Sequence, residues 1–332
     1  MSKFRRAAMS AVLGAAVLAA CGCPKQSPPS ATAPGPATQP GSTERVVLAY
    51  SISSLSHQFF VDMLDGVQDE AKREGAELLT AGAGADAGKQ LGDVEDLLQK
   101  DPSVMMITPQ DSDAIRPAVA ACNEKGVPVV IIDIGASGGK VDSFIISDNY
   151  EGGRLAGTYI AEHVPSGSRV AHIRCQLGAA NARQRGEGFA AVMRQRGLGV
   201  IPPQPADSKR DLAMTVMENL LQANEEISAV FAENDPMAVG AMLAAENAGR
   251  LGEMIVVGFN GDPEALDAIR DGKLAATVMQ FPYDMGVEGV RQAMKLARGE
   301  RASERVEVPV ELVTADNIEH FEGYRRKRDP GA

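Results

Sequence analysis

Short apolar runs alternate with amphipathic stretches along most of the chain, and this alternation restricts the fold more than any other feature. Arg45-Val46-Val47-Leu48-Ala49-Tyr50-Ser51 has the continuous apolar character of a strand buried on both faces. Phe60, Met63, Leu64, Val67 and Ala71 then recur at helical spacing, and Gly75 ends that helix. Glu77 to Ala81 predicts a second strand, Lys89 to Lys100 a helix, and Val104 to Thr108 a third strand. Asp111 or Ser112 is placed to cap the next helix. Val127 to Asp133 predicts a fourth strand, and more follow near 143–147, 169–174, 199–204, 228–232, 254–259, 274–280 and 305–313. The class is therefore α/β, with parallel sheets covered by helices on both faces. About ten or more strands would make one sheet unusually wide, so two sheets of roughly half that size are expected.

The first residues stand apart from this pattern. Lys3, Arg5 and Arg6 precede a small-residue apolar run, Ala7 to Ala20, too short to span a bilayer as a helix. The segment reads as an export signal over 1–20. It ends in Leu18-Ala19-Ala20-Cys21, which resembles the bacterial lipoprotein cleavage box. That resemblance implies cleavage before Cys21 and attachment of lipid to its sulfur, anchoring the chain to a membrane; the bland alternative is an ordinary signal with a chance cysteine. Several acyl chains give stable anchoring where one is marginal. Residues 21–43 are dominated by Pro, Ser, Ala, Thr and Gly and lack the apolar content to fold, so they are expected to be a tether.

A formal net charge of −11 gives no electrostatic case for binding nucleic acid or an anionic membrane face. The chain has no Trp and only 4% aromatics, so no broad stacking platform is expected. Cys21, Cys23, Cys122 and Cys175 are too few and too scattered for a disulfide framework or a zinc site. Cys122 and Cys175 fall in different segments and read as buried thiols in different lobes.

In open parallel sheets, ligands bind beyond the carboxyl ends of the strands. That rule selects Ser53, Ser54, His57, Phe59 and Phe60 after the first strand, Asp133 at the end of the fourth, Asn234 and Asp235 after Phe231, Asn260 after Phe259, and Gln280. Arg183 and Arg185 follow the 169–174 strand. Amides, a carboxylate, arginine and two phenylalanines match a sugar, whose hydroxyls both donate and accept and whose C–H face suits an aromatic. Each residue also has a bland role. One Phe belongs in the core, Asn234, Asp235, Asn260 and Asp262 could cap helices, and His57 could be a solvated loop residue. Agreement among six separate segments favours a site.

Other motifs fail on context. Gly82-Ala83-Gly84-Ala85-Asp86-Ala87 matches a dinucleotide pattern but follows the second strand, so it reads as a flexible loop. The sequence contains no G-x-S-x-G elbow and no H-E-x-x-H pair, and its four histidines do not cluster, so neither enzyme chemistry, a metal nor a cofactor is expected.

Several motifs resemble periplasmic ribose-binding proteins: Phe59-Phe60 after a Ser-rich turn, Thr108-Pro109-Gln110-Asp111-Ser112-Asp113-Ala114, Ser147-Asp148-Asn149 with Gly152-Gly153, and Arg185-Gly186-Glu187-Gly188-Phe189. So do Gln204-Pro205-Ala206-Asp207, Val230-Phe231-Ala232-Glu233-Asn234-Asp235, Val256-Val257-Gly258-Phe259-Asn260-Gly261, and Gly272 to Thr277 with Gln280. The resemblance runs from about Val46 to Val313. It implies two similar doubly wound lobes joined by three crossovers, near Ser147, Gln280 and Pro309. The implied N-terminal lobe is 44–147 with 281–309, and the C-terminal lobe 148–280 with 310–322, leaving 323–332 as a tail. It also implies a monomer whose cleft closes on one sugar and then docks on an ABC permease with its ATPase.

Carried over by position, Ser53, Phe59, Phe60 and Asp133 face the sugar from the first lobe, Arg185 and Asn234 from the second, and Gln280 from the hinge. Arg183 falls on the surface. Four ligand positions depart from the family: His57 replaces an asparagine, Ile134 an arginine, Ser208 a stacking aromatic and Asn260 an aspartate. The expected ligand is therefore not ribose but a larger or partly deoxygenated sugar, a polyol or a furanosyl signal molecule. A receptor feeding a chemoreceptor or sensor kinase without uptake would use the same two-lobe device.

Overall fold

The computed structural model describes residues 45–224 and 226–321. The export signal, Cys21, the tether, the first residue of the expected N-terminal lobe, the last of the C-terminal lobe and the 323–332 tail lie outside the described residues. The first lobe is built from β1 (Val47–Ile52), α1 (Gln58–Glu74), β2 (Glu77–Gly82), α2 (Ala87–Leu98), β3 (Val104–Ile107), α3 (Arg116–Glu124), β4 (Val129–Ile132) and β5 (Ser143–Ser147). The chain then crosses and builds the second lobe. Its elements are α4 (Asn149–His163), β6 (Arg169–Arg174), α5 (Ala180–Arg196), β7 (Gly199–Val200), β8 (Gln204–Pro205), α6 (Arg210–Ala223), β9 (Ile227–Ala232), α7 (Asp235–Asn247), β10 (Ile255–Asn260), α8 (Pro263–Arg270) and β11 (Ala276–Met279). A return crossing delivers α9 (Pro282–Ala297) and β12 (Arg305–Val308) to the first lobe, and a third takes β13 (Glu311–Thr314) to the second.

The two sheets share one topology. The first runs β2-β1-β3-β4-β5-β12, and the second β7-β6-β9-β10-β11-β13 with β8 also on β6. Each is the 2-1-3-4-5 doubly wound order with one strand contributed by the far end of the chain. β3 and β4 are buried at every position, as strands covered on both faces must be.

Two stretches differ from the sequence expectation. The 199–204 run is not one strand. Pro202 and Pro203 offer no N–H to the ladder, so only the short β7 and β8 pair with β6. The 305–313 run divides at Pro309: β12 pairs with β5 in parallel, and β13 pairs with β11 antiparallel in the other sheet. The second sheet is thus mixed rather than wholly parallel.

Glycine sets the closest helix packing in both lobes. A Cβ on Gly153 of α4 would lie 2.0 Å from the Arg185 carbonyl, and one on Gly188 of α5 2.0 Å from the Tyr150 carbonyl. The equivalent pair in the first lobe, α1 and α9, meets the same way: Cβ atoms at Gly66 and Gly286 would sit 2.1 and 2.2 Å from the carbonyls of Tyr283 and Met63. Backbone contact of this kind fixes the height of α5, and with it Arg185, over the cleft.

Candidate ligand-binding cleft

The topological switch points face one another between the lobes. In the first lobe the segments after β1 and β3 diverge. In the second, the segments after β6 and β9 do. The cleft between them leaves about 620 Å³ free of protein atoms, the open solvent at its mouth included. His57, Phe59, Phe60, Asp133, Ile134, Arg185, Ser208, Asn234, Asn260 and Gln280 all line it. Ser53 does not. Its neighbour Ser54 lines the space instead, and the Ser53 hydroxyl is buried without a hydrogen-bond partner.

Asp133 directly follows β4 at φ +68°, and the Ile134 N–H donates to the Ile132 carbonyl at 3.0 Å, which closes a γ-turn. This strained turn aims the carboxylate into the cleft. Burial pushes the Asp133 carboxyl up, against the pull of Arg185 and a hydrogen bond from Asn181. Phe59 packs into the first lobe's core, edge-to-face with the half-exposed Phe60 at 5.3 Å between centroids. His57 precedes α1, and burial holds its imidazole below the ordinary value.

Arg185 is buried on α5, its guanidinium stacked 4.0 Å over the Phe259 ring. Nε donates to Asn149 Oδ1 at 2.7 Å, Nη1 to the Glu233 carbonyl at 2.8 Å and Nη2 to Gln280 Oε1 at 3.3 Å. A guanidinium has five N–H donors, so these bonds fix the group and leave two for the cavity. Gln280 also donates to Asn260 Oδ1 at 2.9 Å. Asn260 sits at φ +132°, and its turn is held by Asp235, which accepts from the backbone N–H of Gly261 and Asp262 at 2.8 and 2.7 Å and from the Thr277 hydroxyl. Asp235 is thus a buried support, and its carboxyl is pushed up to about 6, chiefly by burial. Asn234 both caps α7, through Oδ1 and the Met237 N–H, and lines the cleft. Arg183 is exposed and donates to the Leu177 carbonyl.

Sequence reasoning missed Asn181, Gln110, Cys175 and Gln176, which also line the cleft. Cys175 and Gln176 directly follow β6, so the strand-end rule could have selected them. Asn181 carries no such signal. Its Nδ2 donates across the cleft to Asp133 Oδ1 at 3.1 Å. Ser112 also crosses, donating its N–H to the Gly178 carbonyl and accepting from the Ala180 N–H at Oγ, both at 3.3 Å.

A sequence model of the periplasmic binding protein domain matches residues 48–301. The chain belongs to the periplasmic binding protein family. Relatives include the ribose import binding protein of Escherichia coli K12, 40% identical over 266 residues, covering 80% of this chain and 90% of that protein. The ribose import binding protein of Bacillus subtilis 168 is 40% identical over 274 residues, covering 82% and 89%. Among solved structures, an ABC transporter solute-binding protein of Bacillus halodurans C-125 with bound myo-inositol superposes with a TM-score of 0.81 at 31% identity, covering 85% of this chain and 99% of that one. The two-lobed architecture of this periplasmic binding protein is that of the type I sugar-binding members.

Proposed function

We propose that this protein is the sugar- or polyol-binding component of an ABC importer, capturing a neutral polyhydroxylated ligand by closure of its lobes. The convergence of Asp133, Arg185, Asn234, Asn260 and Gln280 from both lobes and the hinge carries this reading. One carboxylate and one guanidinium balance, which suits an uncharged ligand. Unpaired hydroxyls cost roughly 1–3 kcal/mol each on burial, so a dense polar lining is selective. A ligand touching both lobes favours the closed form, whose surface then meets the permease and its ATPase. The lobes act as 44–147 with 281–309 and 148–280 with 310–322, in a monomer. Lipid on Cys21 holds the exported protein at a membrane in the cell envelope.

With Ile134, Ser208 and Asn260 in the lining, ribose loses two charged anchors and a stacking wall, so the ligand is a different sugar or a polyol. Thermal shift against pentoses, hexoses, deoxy sugars, polyols and nucleosides tests both points. A ligand at a hundred times its Kd adds roughly 2.7 kcal/mol. Silence across the panel from folded, ligand-stripped protein would sink the sugar reading, and low-micromolar ribose binding would sink the exclusion of ribose. Detergent-phase partitioning of the wild type, lost on Cys21→Ala, tests the anchor; an aqueous wild type would refute it.

A further inference from the structure

Asn181 and Ile134 bear on the same group, the Asp133 carboxylate. Asp133 is the one carboxylate lining the cleft among the described residues, and its Oδ1 is held by the Asn181 amide from the opposite lobe. Asn181 Oδ1 accepts from the Ala182 N–H at 2.9 Å, which fixes the amide's orientation so that Nδ2 faces Asp133. Asp133 Oδ2 accepts no hydrogen bond from the described residues. Beside the pair stand Ile134, Ala179 and Ala182, all buried and all lining the cleft. A free carboxylate at a sugar site accepts from two neighbouring hydroxyls, one on each oxygen. Here the amide occupies one oxygen, and the adjoining wall offers neither donor nor acceptor.

Resting on the sugar-binding reading above, we propose that Asn181 is a specificity-determining residue that selects a deoxy sugar. Such a ring gives Asp133 a single hydroxyl at Oδ2 and turns a C–H or methyl edge toward Ile134. A hydroxyl on that edge meets an occupied oxygen and an apolar wall, and is buried without a partner.

The test is calorimetry on the full exported chain with three matched pairs: D-galactose and 6-deoxy-D-galactose, L-mannose and L-rhamnose, D-ribose and 2-deoxy-D-ribose. The expected result is that the wild type binds the deoxy member of at least one pair about tenfold more tightly, the size of one lost hydrogen bond. Asn181→Ala and Asn181→Ser should each tighten binding of the hydroxylated member of that pair and narrow the ratio by about tenfold. A gain of affinity cannot come from misfolding, and the two variants check each other. Preference for the hydroxylated member in every pair that binds, or a ratio unchanged in both variants, overturns the assignment of Asn181 and leaves the sugar reading standing. Silence from the wild type and both variants with all six sugars overturns the deoxy-sugar assignment alone if another sugar or a polyol registers in the thermal-shift panel, and retires the sugar reading, and the inference with it, if that panel is silent too.

Discussion

Arg185 Nε donates to Asn149 Oδ1 at 2.7 Å, so the arginine lining the cleft is tied to the first residue of α4, just beyond the first crossover. Asn149 Nδ2 in turn donates to the Ser147 carbonyl at 2.8 Å, at the end of β5. Gln280, on the second crossover, accepts from the same guanidinium. Arg185 is thus bonded to residues at two of the three connections between the lobes, and under the proposed function a ligand that holds it would couple binding to closure through one side chain.

Arg185→Lys should cost about 10- to 100-fold in ligand affinity, because an ammonium cannot reproduce the fork that serves Asn149, Glu233 and Gln280 while still reaching the cavity. The Glu233 carbonyl and Asn149 Oδ1 lose buried partners, which should destabilise the fold by roughly 1–3 kcal/mol. Calorimetry with the ligand found by thermal shift, together with urea unfolding, measures both losses. Retained affinity would remove Arg185 from the ligand contacts.

Gly188→Ala should destabilise the second lobe by roughly 1–3 kcal/mol, since its Cβ must displace the Tyr150 carbonyl and α4 with it. Affinity should fall as well, because α5 carries Arg185. An alanine at Gly92, inside α2 with open space around its Cβ position, is the control: it should leave the affinity unchanged and raise the melting temperature slightly, alanine being the better helix former by roughly 0.5–1 kcal/mol. Equal melting temperatures for the two variants would show that α4 and α5 tolerate separation.

Most of this architecture is legible because strands buried on both faces announce themselves as apolar runs, and helices by spacing. The cleft is legible to the extent that it sits at strand ends, which is why Asp133, Asn234 and Asn260 emerge from position and chemistry alone. Arg185 lies a turn inside α5, and only the resemblance separates it from exposed Arg183. Ile134 and Ser208 also rest on the resemblance, since an isoleucine and a loop serine carry no signal of their own. Asn181 is invisible to both routes because its role depends on where the opposite lobe places Asp133, a contact between residues 48 positions apart. The strand-end rule names both Ser53 and Ser54, and the carry-over from the resemblance keeps Ser53, whereas Ser54 lines the cleft: one step along an extended chain turns a side chain to the other face.

His57 gives the cleft a dependence on pH. Burial lowers its pKa, so the unfolded chain takes up this proton at a higher pH than the folded one. Its contribution to stability is complete above the unfolded value of 6.5 and is lost as pH falls through the folded value. A ligand packed against the ring buries it further, so affinity should weaken from pH 8 toward pH 5, and His57→Asn should flatten that trend. A wild-type profile that is already flat would place His57 outside the ligand contact.

Cys175 and Cys122 should both resist alkylation in the folded protein, although one lines the cleft and the other lies in the first lobe's core. Burial pushes each thiol up to about 12, so almost none of either is thiolate at pH 8, and the thiolate is the nucleophile. If the lobes open as the proposed function requires, Cys175 would meet solvent while Cys122 stays covered in its core cluster. Peptide-resolved mass spectrometry after iodoacetamide should therefore find slow labelling of Cys175 that saturating ligand suppresses further. Cys122 should label only in denaturant. Cys175 modified at the same rate with and without ligand would mean that ligand and thiol do not share the cleft.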